Sequence, residues 1–89
     1  MNHRKPLCAL RVGQSAVIKE ISPNCAIRQR LLDLGLIKDT RVRCLFKSPF
    51  GGMKAYRIRG ATIAIRDKDC VDVVTEPYPE GSENNERDT

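Results

Sequence analysis

Eighty-nine residues make at most one small domain, and its modest core leaves little room for a deep, water-excluding catalytic pocket, which favours a binding module over an enzyme. Charge is unevenly placed: residues 1–76 carry 15 Lys/Arg against 7 Asp/Glu, while residues 77–89 carry Glu80, Glu83, Glu86 and Asp88 against Arg87, for a net charge of +5. A basic body suits an acidic protein face, nucleic acid or anionic lipid, and equally a plain soluble surface rich in lysine and arginine.

Residues 1–6 are polar and basic and are expected to form a flexible N-terminus. The start MNHRKPLCALRVG lacks the apolar run of about 7–15 residues that a signal peptide needs. The longest apolar-rich run, LLDLGLI, falls far short of the ~20 residues of a spanning helix. A cytoplasmic protein is expected, reaching a membrane only through a partner. PLCALRVG then gives about one helical turn ending at Gly13, and SAVIKEI (15–21) a strand whose facing stays open, because both of its faces carry apolar residues.

At Ser22-Pro23-Asn24 the period changes. Asn24 is the expected N-cap of a helix of roughly ten residues, with Ile27, Leu31 and Leu34 forming its apolar stripe and Leu32 beside it. Gly35 is placed as the left-handed residue after the helix, and Leu36 as the hydrophobic contact of a Schellman end. Arg28, Gln29, Arg30 and Asp33 are left for the wet side.

The rest reads as β. In TRVRCLFK (40–47) Val42, Cys44 and Phe46 share one face, against Arg41, Arg43, Leu45 and Lys47 on the other. SPFGG (48–52) is loop chemistry. MKAYRIRG (53–60) sets Tyr56 and Ile58 inward and Arg57 and Arg59 outward. Gly60 marks a tight turn into ATIAIR (61–66), where Ile63 and Ile65 face in and Arg66 faces out. Asp67-Lys68-Asp69 reads as a turn, and CVDVVTE (70–76) as a last strand using Val71 and Val73. Residues 77–89 are too polar to fold alone and are expected to be a disordered acidic tail. One helix and about five short strands form a mainly β fold, a small antiparallel barrel whose closure removes exposed edges.

Catalytic signatures are missing: the chain has no GxxxxGK[ST] loop, no GxGxxG and no GxSxG. Cys8, Cys25, Cys44 and Cys70 lie 17, 19 and 26 residues apart, and His3 is the sole histidine. No CxxC or short Cys/His pair exists, so neither a metal site nor a cofactor is expected, and the thiols are expected to be free and mostly buried. Cys25 would sit in the first turn of the helix, where partial positive charge favours a thiolate. Its plainer reading is a small residue near a helix start.

Two surfaces remain as candidates. Arg41, Arg43, Arg57, Arg59 and Arg66 would share one outer sheet face able to grip phosphates, giving an alternative reading as an RNA- or DNA-binding barrel. Nucleic-acid modules add exposed aromatics for stacking, and this chain has only Phe46, Phe50, Tyr56 and Tyr78. The other surface is the SPFGGM loop. Phe50 stands at a hairpin tip where folding alone seldom requires an aromatic, and with Met53 and the helix end it would rim a groove for a partner.

From the helix onward, the segment RQRLLDLGLIKDTRVRCLFKSPFGGMKAYRIRGATIAIRDKDCVDVVTE resembles the FeoA family. Leu34-Gly35-Leu36 through Thr40 follows that family's [LM]-G-[LF]-x-x-G-T pattern, and the preceding segment follows L-x-V-G-Q-x-A-x-I. The resemblance spans residues 7–76. It departs at Asp39, which stands where the family often has glycine, a position an Asp tolerates better than most residues. The resemblance implies an SH3-like barrel with one inserted α-helix and no established catalytic residues. It also implies a FeoB-like partner, a membrane ferrous-iron transporter carrying a GTPase domain. The expected partner surface comprises Arg28, Arg30, Leu32, Leu36, Pro49, Phe50 and Met53, with Gly35 and Gly60 serving backbone geometry.

Overall fold

The computed structural model describes residues 4–78. The expectations for the first three residues, His3 among them, and for the acidic segment 79–89 lie outside it.

Among the described residues there are six strands: β1 (Lys5–Pro6), β2 (Ser15–Ile21), β3 (Arg41–Lys47), β4 (Met53–Ile58), β5 (Ala61–Arg66) and β6 (Val73–Pro77). They form one antiparallel sheet in the order β1-β6-β2-β3-β4-β5. A 3-10 turn (Leu7–Ala9) and two helices, α1 (Arg28–Asp33) and α2 (Asp67–Cys70), are the other elements among the described residues. The sheet curls, and its ends are bridged by side elements rather than by strand pairing. The 3-10 turn packs on α2 and β6, and Leu7 and Cys70 are each fully buried. Lys54 Nζ donates to the Cys8 carbonyl at 2.6 Å, tying β4 to the same turn. This is the SH3-like barrel expected, with one strand more than the sequence pattern showed. The extra one, β1, has only two residues, and no periodicity is legible over that length.

The core gathers Leu7, Ile18, Leu31, Leu36, Val42, Cys44, Tyr56, Ile58, Cys70 and Val73, all under 2% exposed. Two bulges explain where simple alternation fails. In β2 the register against β6 shifts between Ile18 and Glu20, so Ile18 and Ile21 both face inward although they lie three positions apart, an offset that simple alternation would put on opposite faces. In β3 it shifts between Cys44 and Phe46, so Phe46, expected inside, pairs with Ala55 and stands 57% exposed.

Two further expectations are corrected. The Asp67–Asp69 turn is the one-turn helix α2, and the last strand begins at Val73, leaving Val71 exposed beyond the helix end. Helix α1 is shorter than the pattern predicts. Asn24 does not cap it: its N–H donates to Ser22 Oγ, the Cys25 N–H donates to the Ser22 carbonyl, and Ile27 occupies the N-cap without a side-chain bond. Cys25 is therefore buried in the turn ahead of the helix, outside its first turn. All four thiols are unpaired and only Cys8 is not fully inside.

The C-terminal end of α1 matches the sequence reading. The Leu36 N–H donates to the Leu31 carbonyl and the Gly35 N–H to the Leu32 carbonyl, both at 3.0 Å, which is the paired bonding of a Schellman motif. Gly35 has φ 108°, and the reversal drives Leu36 into the core at 0% exposure.

Candidate functional site

Three features of the surface rise above a solvated shell. The first is a cleft of about 510 Å³ between α1 and β5. Ile27, Leu34 and Ile63 supply apolar lining, Arg30 and Arg66 cationic lining, and Met53 and Asp69 line it as well. Among the described residues β5 pairs with β4 alone. The Asp67 N–H to Gly52 carbonyl bond, 2.8 Å, sets the alternation of that ladder. Ala61, Ile63 and Ile65 bond to β4, whereas Thr62, Ala64 and Arg66 turn their backbone N–H and C=O groups toward the open side. The cleft therefore runs beside an unpaired strand edge.

The second is the β3–β4 hairpin tip. The Gly51 N–H donates to the Ser48 carbonyl, the Phe50 N–H to Ser48 Oγ and the Ser48 N–H to the Met53 carbonyl. These bonds brace the loop in a defined turn, yet Phe50 is 96% exposed. A braced backbone that still presents a bare phenyl ring offers a rigid anchor with little left to order on contact.

The expected partner surface is thus only partly gathered. Arg30 and Met53 meet in the α1–β5 cleft, and Pro49 and Phe50 stand at the hairpin tip. Arg28, two residues from Arg30, turns the other way and its Nε donates to the Ile21 carbonyl. Leu32 is half-buried against the core. Leu36 cannot touch a partner, because the Schellman turn seals it inside. Ile27, Leu34 and Ile63 were legible as apolar but read as core. Their part-exposure depends on α1 being short and on β5 lying at the edge.

The third feature is a cleft of about 540 Å³ lined by Ile37, Lys38, Asp39, Thr40, Arg41, Arg43, Arg57, Arg59, Gly60 and Tyr78. The sheet register places Arg43 directly opposite Arg57, like charges in the arrangement that cross-strand pairing disfavours. Four of the five predicted outer arginines converge here, while Arg66 lies apart in the α1–β5 cleft. Lys38 and Tyr78 joined them without a sequence signal. The Tyr78 ring lies under the Arg41 guanidinium, 4.5 Å from ring centroid to Cζ. Arg41 Nη2 donates to Ser15 Oγ. Asp39, the acid in the lining, is already engaged: Lys19 Nζ donates to its Oδ1 at 2.9 Å. That bond and the Lys19 charge hold the Asp39 carboxyl below its ordinary range. Arg59 and Gly60, with φ 51° and 84°, make the two-residue turn at one end of the cleft.

Reactive chemistry is sparse by comparison. Cys70 Sγ donates to the Tyr56 hydroxyl at 3.5 Å inside the core. Burial pushes the Cys70 thiol up to about 11 and the Tyr56 phenol well above its ordinary range, so neither is a ready nucleophile at neutral pH. Among the described residues no three His, Cys, Asp or Glu side chains are placed to hold a metal ion. Nor is any described helix long and apolar enough to cross a membrane.

The family model for the FeoA domain matches residues 5–77. The FeoA protein of Stenotrophomonas maltophilia, solved with zinc and described as an SH3-domain protein proposed as an activating factor of bacterial ferrous-iron transport, is 31% identical. That match covers 80% of this chain and 88% of the other, with a TM-score of 0.70. A FeoA-like protein from Clostridium acetobutylicum is 24% identical over 90% of this chain and 93% of its own, with a TM-score of 0.80. A manganese-dependent transcriptional repressor shares the fold at 22% identity and a TM-score of 0.76, over 88% of this chain and 44% of its own. No curated protein sequence matches significantly.

Proposed function

The chain belongs to the FeoA family, and on that premise we propose that it is a non-enzymatic cytoplasmic adaptor of ferrous-iron uptake. In this reading it docks on a FeoB-like membrane transporter and modulates that partner's GTPase or transport activity. The observation that carries the docking step is the α1–β5 cleft beside the open edge of β5, with Phe50 braced and bare at the hairpin tip. An extended partner segment can add to the Thr62–Arg66 edge through main-chain bonds while its apolar side chains enter between Ile27, Leu34 and Ile63. Phe50 and Met53 then supply the anchor contacts from which interfaces draw most of their affinity.

An amide NMR titration of the labelled protein with the soluble cytoplasmic domain of a FeoB-like transporter tests this. Shifts confined to Ile27–Leu34, Pro49–Met53 and Thr62–Arg66 support it. Unmoved amides there at saturating transporter domain reject it. A parallel titration with single-stranded RNA addresses the alternative. Shifts restricted to Arg41, Arg43, Arg57 and Arg59 would transfer the function to the basic cleft.

A further inference from the structure

The apolar stripe of α1 is interrupted by a cation. Ile27, Arg30, Leu31 and Leu34 follow the i, i+3, i+4, i+7 spacing of one helical face. The Leu31 N–H donates to the Ile27 carbonyl and the Leu34 N–H to the Arg30 carbonyl, both at 3.0 Å, which holds that spacing. Leu31 is buried, Ile27 half-buried and Leu34 39% exposed, while the remaining position of the stripe is a fully exposed arginine. All four residues line the α1–β5 cleft, and β5 adds a second exposed arginine, Arg66, to the same lining. The ion pairs among the described residues involve Arg4 and Lys19, so neither cleft guanidinium is matched to a carboxylate there. Asp69 is the one acid in the described lining, and it is half-buried.

Given the docking described above, on which this rests, we propose that the partner segment received by the cleft is an extended strand of alternating apolar residues that begins with a carboxylate. Every strand pair of the sheet is antiparallel, and an added antiparallel strand fixes the pattern. Its first residue lies opposite Arg66, its second and fourth opposite Ile65 and Ile63, and its third and fifth opposite Ala64 and Thr62. Ile65 is buried and Ile63 half-buried, whereas Thr62, Ala64 and Arg66 are exposed. The second and fourth residues therefore share the inner face and are apolar, and the third and fifth are small or polar. The first meets the Arg66 guanidinium, whose paired N–H donors match a carboxylate fork. Arg30 adds positive potential to the same cleft, so a basic segment is repelled. A second copy of this chain fits poorly, because pairing β5 with β5 would gather four arginines against two aspartates along one seam.

The full chain, isotopically labelled, is titrated with the capped peptide Ser-Glu-Val-Thr-Val-Thr-Ser and with its counterpart carrying Lys in place of Glu. The Glu peptide should shift amides in Ile27–Leu34 and Thr62–Arg66 and bind at least about tenfold more tightly than the Lys peptide. Arg66→Glu should reverse that preference, and Arg30→Glu should reduce it without reversing it. Both positions are exposed, and unmoved amides at Val42 and Tyr56 verify that each variant is folded. Equal affinity of the wild type for the two peptides would overturn the proposal. So would an unchanged preference in Arg66→Glu, or the absence of cleft shifts with either peptide at millimolar concentration. Concentration-dependent shifts of the same amides without peptide would overturn it as well, by assigning the strand edge to a second copy. The transporter domain separates this proposal from the docking it rests on. Equal binding of that domain at the clefts of wild type and Arg66→Glu would leave docking standing and reject the acidic segment. Cleft amides unmoved by the domain but shifted by the Glu peptide would reject docking by the transporter and leave the acidic–apolar preference standing.

Discussion

The Arg59 side chain lies so close over Gly35 that a Cβ at Gly35 would stand 2.8 Å from Arg59 Cδ. The contact joins the end of α1 to the β4–β5 turn, and both residues have positive φ, 108° at Gly35 and 51° at Arg59. Helix end and hairpin turn are thus fixed against each other by backbone shape.

Gly35→Ala tests that relationship. An alanine at φ 108° is strained whatever the space around it, by about 1–3 kcal/mol, and the Arg59 contact adds to this. We expect a loss of stability in that range, measured by urea unfolding. Because the Arg59 methylenes can shift, backbone strain is the larger part. Repeating the substitution in an Arg59→Ala background should recover only a minor share. Full recovery would show that the contact, not the backbone, is the source.

Asp39 offers the converse case. It adopts φ 70° without being a glycine and its carboxylate holds Lys19. Asp39→Gly relieves the left-handed strain but loses only an exposed, solvent-screened ion pair, so the two effects oppose each other and stability should change little. Asp39→Val keeps the φ requirement with a β-branched side chain that resists it, and should cost about 2 kcal/mol or more. Equal thermal midpoints for the two variants would contradict this account.

Phe50 separates binding from folding. With its side chain in water, Phe50→Ala should leave stability within about 0.5 kcal/mol while weakening capture by a FeoB-like cytoplasmic domain at least about tenfold, as expected for an anchor residue. Leu34→Glu, at a 39% exposed position in the cleft, should weaken the same interaction through a buried, unpaired carboxylate. Undiminished binding by a folded Phe50→Ala protein would remove the hairpin tip from the interface. Undiminished binding by both would remove the cleft as well.

Alkaline pH should unfold the domain through its core thiol. The Cys70 thiol has an ordinary value of 9.0 and is raised to about 11 in the fold by burial. The unfolded chain therefore releases this proton first. Stability is intact below pH 9 and falls as pH rises from there to about 11, by a total of about 2–3 kcal/mol from this group. Burial raises Cys44 and Tyr56 in the same direction. Urea midpoints measured across that window should decline less steeply for Cys70→Ala than for the wild type. Parallel declines would assign the pH dependence to other groups.

Local chemistry carried much of this fold in the sequence. The alternation of Val42 and Cys44, the Arg59-Gly60 turn and the Leu34-Gly35-Leu36 helix end are each decided within a few residues, by side-chain period and by which residues tolerate positive φ. For that reason the SH3-like class and the elements from β2 to β5 were legible. Tertiary structure decided what depends on partners distant in the chain. The bulge that sends Ile21 inward goes with the register against β6, a strand distant in sequence, and the one that sends Phe46 outward goes with the pairing against β4 across the hairpin. The two-residue β1 is a strand only because β6 lies beside it. The same holds for the surface: Leu36 is sealed by a turn, Arg30 meets Met53 only where α1 crosses the sheet edge, and Tyr78 enters the arginine cleft only because β6 delivers it there. Periodicity reports which face of an element is apolar, but adjacency between elements is fixed by packing, and a binding surface is made of adjacency.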